Sequence, residues 1–178
     1  AAGRGVVGRA GDGGGRGAGG GSRTDARIIE VTRGANSTVR VSESNDPATR
    51  LLADAFAIAA DGAVPDDIKR RAVPLLCREA LELTAKGVFW WRALAQGRSR
   101  SEVELAWESA QKVSTRLALA LSLDPDDNLA VDKWLAGGPT RRATMAVVNK
   151  GVHQGAFNPK GAVNDARRTV LELAAVAK

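Results

Sequence analysis

The longest hydrophobic pattern in the chain runs from Val73 to Ala95. Read at helical periodicity it carries two neighbouring apolar stripes. One is Leu76, Ala80, Leu83, Gly87, Trp90 and Leu94; the other is Cys77, Leu81, Thr84, Val88, Trp91 and Ala95. Together they make a face wider than a helix with one neighbour needs, which predicts a central helix with partners on two sides and Trp90 in the core. Arg78, Glu82, Lys86, Arg92 and Gln96 occupy the remaining face and can stay in water. Phe89 falls among them, so it is expected either exposed at a partner site or covered by an N-terminal hairpin.

The rest of the pattern is punctuated by caps and prolines. Asp46-Pro47 starts a helix that buries Leu52, Ala55, Phe56 and Ala59 and closes at Gly62. Pro65 opens the next, with Asp66 and Asp67 in its first turn, and Pro74 predicts a kink or a short helix ahead of the long one. After Gly97, Ser101 and Glu104 read as a capping box. They head a helix to about Leu121 that buries Val103, Ala106 or Trp107, Ala110, Val113 and Leu117. Asp124-Pro125 starts a short helix with Leu129 and Trp134, stopped by Gly137 and Gly138. Pro139 begins one running to about Asn149, and Asn158-Pro159 begins the last, with Val163, Ala166, Val170, Leu173 and Ala177 along one side.

Residues 26–43 change period: ARIIEVT and STVRVSE alternate apolar and polar positions around RGAN, which predicts a β-hairpin. Residues 1–22 contain eleven glycines and bury too little to fold alone. The expected architecture is an all-α bundle of five to seven helices over residues 46–178, preceded by a hairpin in 26–45 and a disordered Gly/Arg-rich tail in 1–25.

Composition narrows the chemistry. A single cysteine, Cys77, excludes an internal disulfide and a multi-cysteine zinc site, and its place on an apolar stripe reads as a small core side chain. No apolar run reaches the roughly 18 residues of a membrane span, and the first residues lack the apolar stretch of a signal peptide. A cytoplasmic location is the expectation. The abundance of Ala, Gly, Arg and Val, which have GC-rich codons, fits a GC-rich bacterial gene. The net charge of +6 is unevenly spread: residues 99–138 sum to −3 and residues 139–178 to +5. The basic end can attract phosphates.

One stretch holds candidate chemistry. VNKGVHQG contains the only histidine, His153, with Asn149 and Lys150 before it and Arg141 and Arg142 two helical turns upstream of Asn149. An imidazole that moves a proton, beside cations that stabilise developing negative charge, is a phosphodiester-cleaving arrangement. Against it, Asn149 and Gly151 are ordinary helix-ending residues, and no carboxylate stands near His153 in sequence. Nothing forms a metal-ligand set. The glycine-rich start lacks the Gly-Lys-Ser/Thr of a phosphate loop, so no cofactor is expected.

AVPLLCREALEL, the long helix, the capped helix after it and the late Asn149-x-x-x-His153-x-Gly155 element resemble the helical C-terminal domain of bacterial P-loop ATPases. These are proteins of the structural-maintenance-of-chromosomes or AAA type, several of them in phage-defence systems. ARIIEVTRGANSTVRV is similar to the closing strands of such an ATPase head. The helical part also resembles HEPN domains, small bundles that often act as RNA-cleaving toxins when dimeric. The likeness covers roughly residues 26–178. It implies a HEPN-like, non-catalytic module without membrane contact that serves phage defence or DNA maintenance. Its partner would be an ATPase subunit or RNA/DNA, the latter held by Arg141, Arg142, Lys150, Arg167 and Arg168, and a homodimer is compatible with it. The alternative is a metal-independent ribonuclease using His153. Two departures weigh on activity: the ATPase motifs are absent, and no Arg stands between Met145 and Val148, where an active HEPN site would have its Arg partner.

Overall fold

The computed structural model describes residues 29–33, 39–43, 46–150 and 157–177. The chain divides into an N-terminal unit, residues 1–46, and a helical unit, residues 47–178. In the first, strands β1 (Ile29–Arg33) and β2 (Val39–Glu43) pair antiparallel, with Val31 opposite Val41 and Arg33 opposite Val39. The glycine-rich tail and the Gly34-Ala35-Asn36 turn expected from the sequence lie outside the described residues.

The helical unit contains seven α-helices among its described residues: α1 (Pro47–Ala60), α2 (Asp66–Ala95), α3 (Arg100–Ser109), α4 (Val113–Ser122), α5 (Asn128–Ala136), α6 (Pro139–Lys150) and α7 (Pro159–Ala174), with a closing 3-10 turn, Ala175–Ala177. Helix α2 is the axis of the unit: α1, α3, α4, α6 and α7 all contact it. Its thirty residues extend about 45 Å at 1.5 Å per residue. Pro74 is buried within it and does not divide it, so the separate short helix that was one expectation at that position does not occur. A proline there removes one backbone hydrogen bond, and the packed turns on either side carry the helix through.

The core is built from Leu52, Ala55 and Ala59 of α1, Val73, Cys77, Leu81 and Phe89 of α2, Leu117 and Leu119 of α4, and Val163, Ala166, Val170 and Leu173 of α7. The apolar spacing read for α1 and α7 is therefore the packed side of those helices. Helix α7 starts as its caps imply, with Asn158 accepting a hydrogen bond from the Gly161 backbone N–H at 3.0 Å.

Helix α2 presents a different face from the one its stripes suggest. The Cys77–Leu81–Val88 stripe is buried, and the buried face extends from it to Ala85, Phe89 and Ala93, away from the Leu83–Trp90–Leu94 stripe. Phe89 is completely buried and stacks on Trp107 of α3, so it is not an exposed partner residue. Trp90 is only half-buried, and Trp91 and Leu94 are exposed.

Two boundaries also differ. The capping box is Ser99 with Glu102, not Ser101 with Glu104: Ser99 Oγ accepts from the Glu102 backbone N–H, and Glu102 Oε2 accepts from the Ser99 backbone N–H at 2.8 Å. The helix expected to reach Leu121 is broken at Ala110–Lys112 into α3 and α4. No glycine or proline marks this break. Arg116 Nε donates to the Ala110 carbonyl at 2.8 Å, and its guanidinium lies 5.1 Å from the Trp107 ring centroid. Asp124-Pro125 forms a turn rather than a cap; Asp127 caps α5 by accepting from the Ala130 N–H at 2.9 Å.

Candidate functional site

Three of the α2 residues expected to face water form a clamp on α4. Glu82 receives Arg78 Nε at 2.8 Å and is also hydrogen-bonded by Arg116 of α4. Arg92 Nη1 donates to the carbonyls of Ala120 and Leu121 at 2.7 and 2.6 Å, satisfying acceptors at the end of α4. The half-buried polar side of α2 is thus a structural contact.

The basic residues read from the sequence are placed unequally. Arg141 on α6 donates through Nε to Glu172 Oε2 at 2.6 Å and through Nη1 to the Trp134 carbonyl at 2.7 Å. Its guanidinium lies 4.8 Å from the Trp134 ring centroid, and its side chain is 19% exposed. A Cβ at Gly137 would sit 2.7 Å from Arg141 Nη1, so a larger residue there would make the guanidinium shift. Arg168 Nε lies 3.4 Å from the other Glu172 oxygen with a largely exposed side chain, so Glu172 brings Arg141 and Arg168 together. Arg167 lies over Phe56 of α1, 5.0 Å from its ring centroid. Arg142 is exposed, as is Asn149. His153 and the Lys150 side chain lie outside the described residues.

Burial pushes the Cys77 thiol up to about 11, which fits a core side chain and not a nucleophile. Among the described residues no group of His, Cys, Asp and Glu could hold a metal ion. A hollow of about 190 Å³ between α1 and α7 is lined by Thr49, Leu52, Ala53, Arg167, Val170 and Leu171. It falls short of the roughly 300–1,000 Å³ usual for a small-molecule site.

The outer face of α2 is the more informative surface. Ile68, Leu75, Leu83 and Leu94 are 40%, 63%, 39% and 44% exposed, and Trp91 beside them is 57% exposed. Ala72, Glu79, Lys86 and Trp90 fill the same line at steps of three and four residues. Lys86 Nζ and the Arg100 guanidinium lie 5.7 and 5.9 Å from the Trp90 ring centroid. The buried Trp90 Nε1 has no hydrogen-bond partner among the described residues. Single exposed leucines are ordinary on protein surfaces; here several stand on one side of one helix. The sequence pattern contained this face as the Leu83–Trp90–Leu94 stripe and assigned it to the interior. The signal against that assignment was the pair of charges, Glu79 and Lys86, lying in the same line.

No family model, curated protein or solved structure matches the chain.

No helix among the described residues is long and apolar enough to cross a membrane.

Proposed function

We propose that the chain is a non-catalytic helical docking module whose outer α2 face engages a protein. The observation that carries this reading is the exposure of Ile68, Leu75, Leu83, Trp91 and Leu94 along a single helix. An amphipathic helix whose second apolar side lacks a covering helix among the described residues is suited to a helix or groove of another subunit. The resemblance to ATPase-linked, HEPN-like bundles adds the setting: an assembly with an ATPase subunit, in phage defence or DNA maintenance. Protein is favoured over RNA or DNA as the partner because Arg141 is already committed to Glu172 and the Trp134 carbonyl. The ribonuclease alternative rests on His153 and draws no support from the described residues.

Two measurements test this on the full chain. Bis-ANS fluorescence reads exposed apolar surface. Leu75→Glu combined with Leu94→Glu should remove most of the enhancement while the far-ultraviolet circular dichroism is retained. An enhancement equal to the parent's would count against the docking face. Incubation with labelled RNA in EDTA should give no cleavage; cleavage abolished by His153→Ala would put the ribonuclease reading first.

A further inference from the structure

The docking reading leaves the occupant of the α2 face open, and the charge order along that face narrows it. Between Ile68 and Leu94 the line runs Ile68, Ala72, Leu75, Glu79, Leu83, Lys86, Trp90 and Leu94, with Ala72, Lys86 and Trp90 half-buried and the rest exposed. It contains one acid and one base, placed symmetrically about a point between Glu82 and Leu83. Leu75 and Trp90 are equally symmetric about that point. A two-fold axis through it would therefore set Glu79 of one helix opposite Lys86 of an antiparallel copy, and Leu75 opposite Trp90, with each contact made twice.

We propose that the outer face of α2 pairs antiparallel with the same face of a second copy of this chain, in the register that sets Glu79 of each copy against Lys86 of the other. The proposal rests on the docking reading above and names its occupant. Competing registers are penalised by the same residues. An axis at Glu79 brings the two Glu79 carboxylates together, and an axis at Lys86 does the same for the ammonium groups. Leu83 between the charges, and Leu75, Ala72, Trp90 and Leu94 outside them, supply knobs of unequal size, which a self-complementary helix pair can interlock.

Size sets the expected strength. The line from Ile68 to Leu94 is about 40 Å long at 1.5 Å per residue. A helix–helix contact about 10 Å wide along it buries roughly 400 Å² per copy, at the small end of protein interfaces. The dimer should therefore dissociate in the micromolar range or above, and its assembly should vary with concentration.

The test is sedimentation velocity of the full chain over a wide concentration range, with charge reversal as the probe. The parent should shift from monomer to dimer as concentration rises. Glu79→Lys should weaken the dimer about tenfold by facing Lys86 of the other copy, and Lys86→Glu should do the same by facing Glu79. Equimolar mixing of the two variants should restore dimers, because unlike charges meet at both positions only in the mixed pair. The double variant Glu79→Lys with Lys86→Glu should also recover the parent's behaviour. Circular dichroism melts of each variant separate lost pairing from lost folding. A parent chain that stays monomeric throughout overturns the proposal, as do dimers whose strength ignores both reversals. If the Leu75→Glu/Leu94→Glu variant still loses bis-ANS binding in that case, the docking face stands and belongs to a different partner. If it does not, the docking reading falls as well.

Discussion

Phe89 lies against Trp107 with ring centroids 6.2 Å apart and planes 23° from parallel. No part of Phe89 reaches solvent, whereas its neighbour Trp90 is half-buried on the outer side of α2. Phe89→Ala should therefore cost about 3–5 kcal/mol as a core truncation, and Trp90→Ala about 1–2 kcal/mol despite the larger ring. Urea denaturation of the two variants checks this, and the reverse order would contradict the burial described. Cys77 gives a second expectation at this scale. Burial raises its thiol from 9.0 to about 11, so the unfolded chain ionises there first. The stability contributed by the neutral thiol is fully present below pH 9 and is lost as pH rises towards 11. Relative to a Cys77→Ala variant, the parent's denaturation midpoint should fall over that window and run parallel below it.

At the scale of elements, caps that use one residue and a proline were legible except at Asp124-Pro125, where the helix starts three residues later behind Asp127. Asp46-Pro47, Pro139 and Asn158-Pro159 mark helix starts because proline fixes the first-turn backbone and leaves few alternatives. The break at Ala110–Lys112 interrupts apolar spacing that continues unbroken from Val103 to Leu117. It is held by Arg116 reaching both Ala110 and Glu82, a contact across 34 residues that no local pattern announces. Ser99 with Glu102 and Ser101 with Glu104 share the same spacing, two residues apart, and the cap expected from the sequence is the second. Only Ser99 meets the backbone of its partner Glu102, whose carboxyl is held below its ordinary value by the Ser99 hydrogen bonds. Ser99→Ala should lower the melting temperature and Ser101→Ala should leave it near the parent's. Equal effects would return the cap to Ser101.

At the scale of the whole molecule, periodicity made the centrality of α2 legible but left the orientation of its faces undetermined. Two stripes side by side are compatible with a helix enclosed within one chain and with a helix shared between chains. Residue spacing is the same in both. The basic end was legible as charge, yet the commitment of Arg141 to Glu172 depends on α6 and α7 lying together, 31 residues apart in sequence. What the core does show plainly is its composition: ten of its buried residues are alanine, including Ala80, Ala85 and Ala93 on α2 and Ala118 and Ala120 on α4. Alanine at such positions lets helix backbones approach closely, and the interior has little spare volume to accept a longer side chain. The bundle is therefore limited by size more than by polarity. Enlarging an alanine to valine or leucine, a change that keeps the site fully hydrophobic, would wedge two helices apart. Conversely, serine, which is close in volume and can bond back to its own helix, is the replacement these sites would admit most readily. Drift in a lineage carrying this fold should then run along a corridor of small residues at the centre, with the freedom to vary concentrated at the rim.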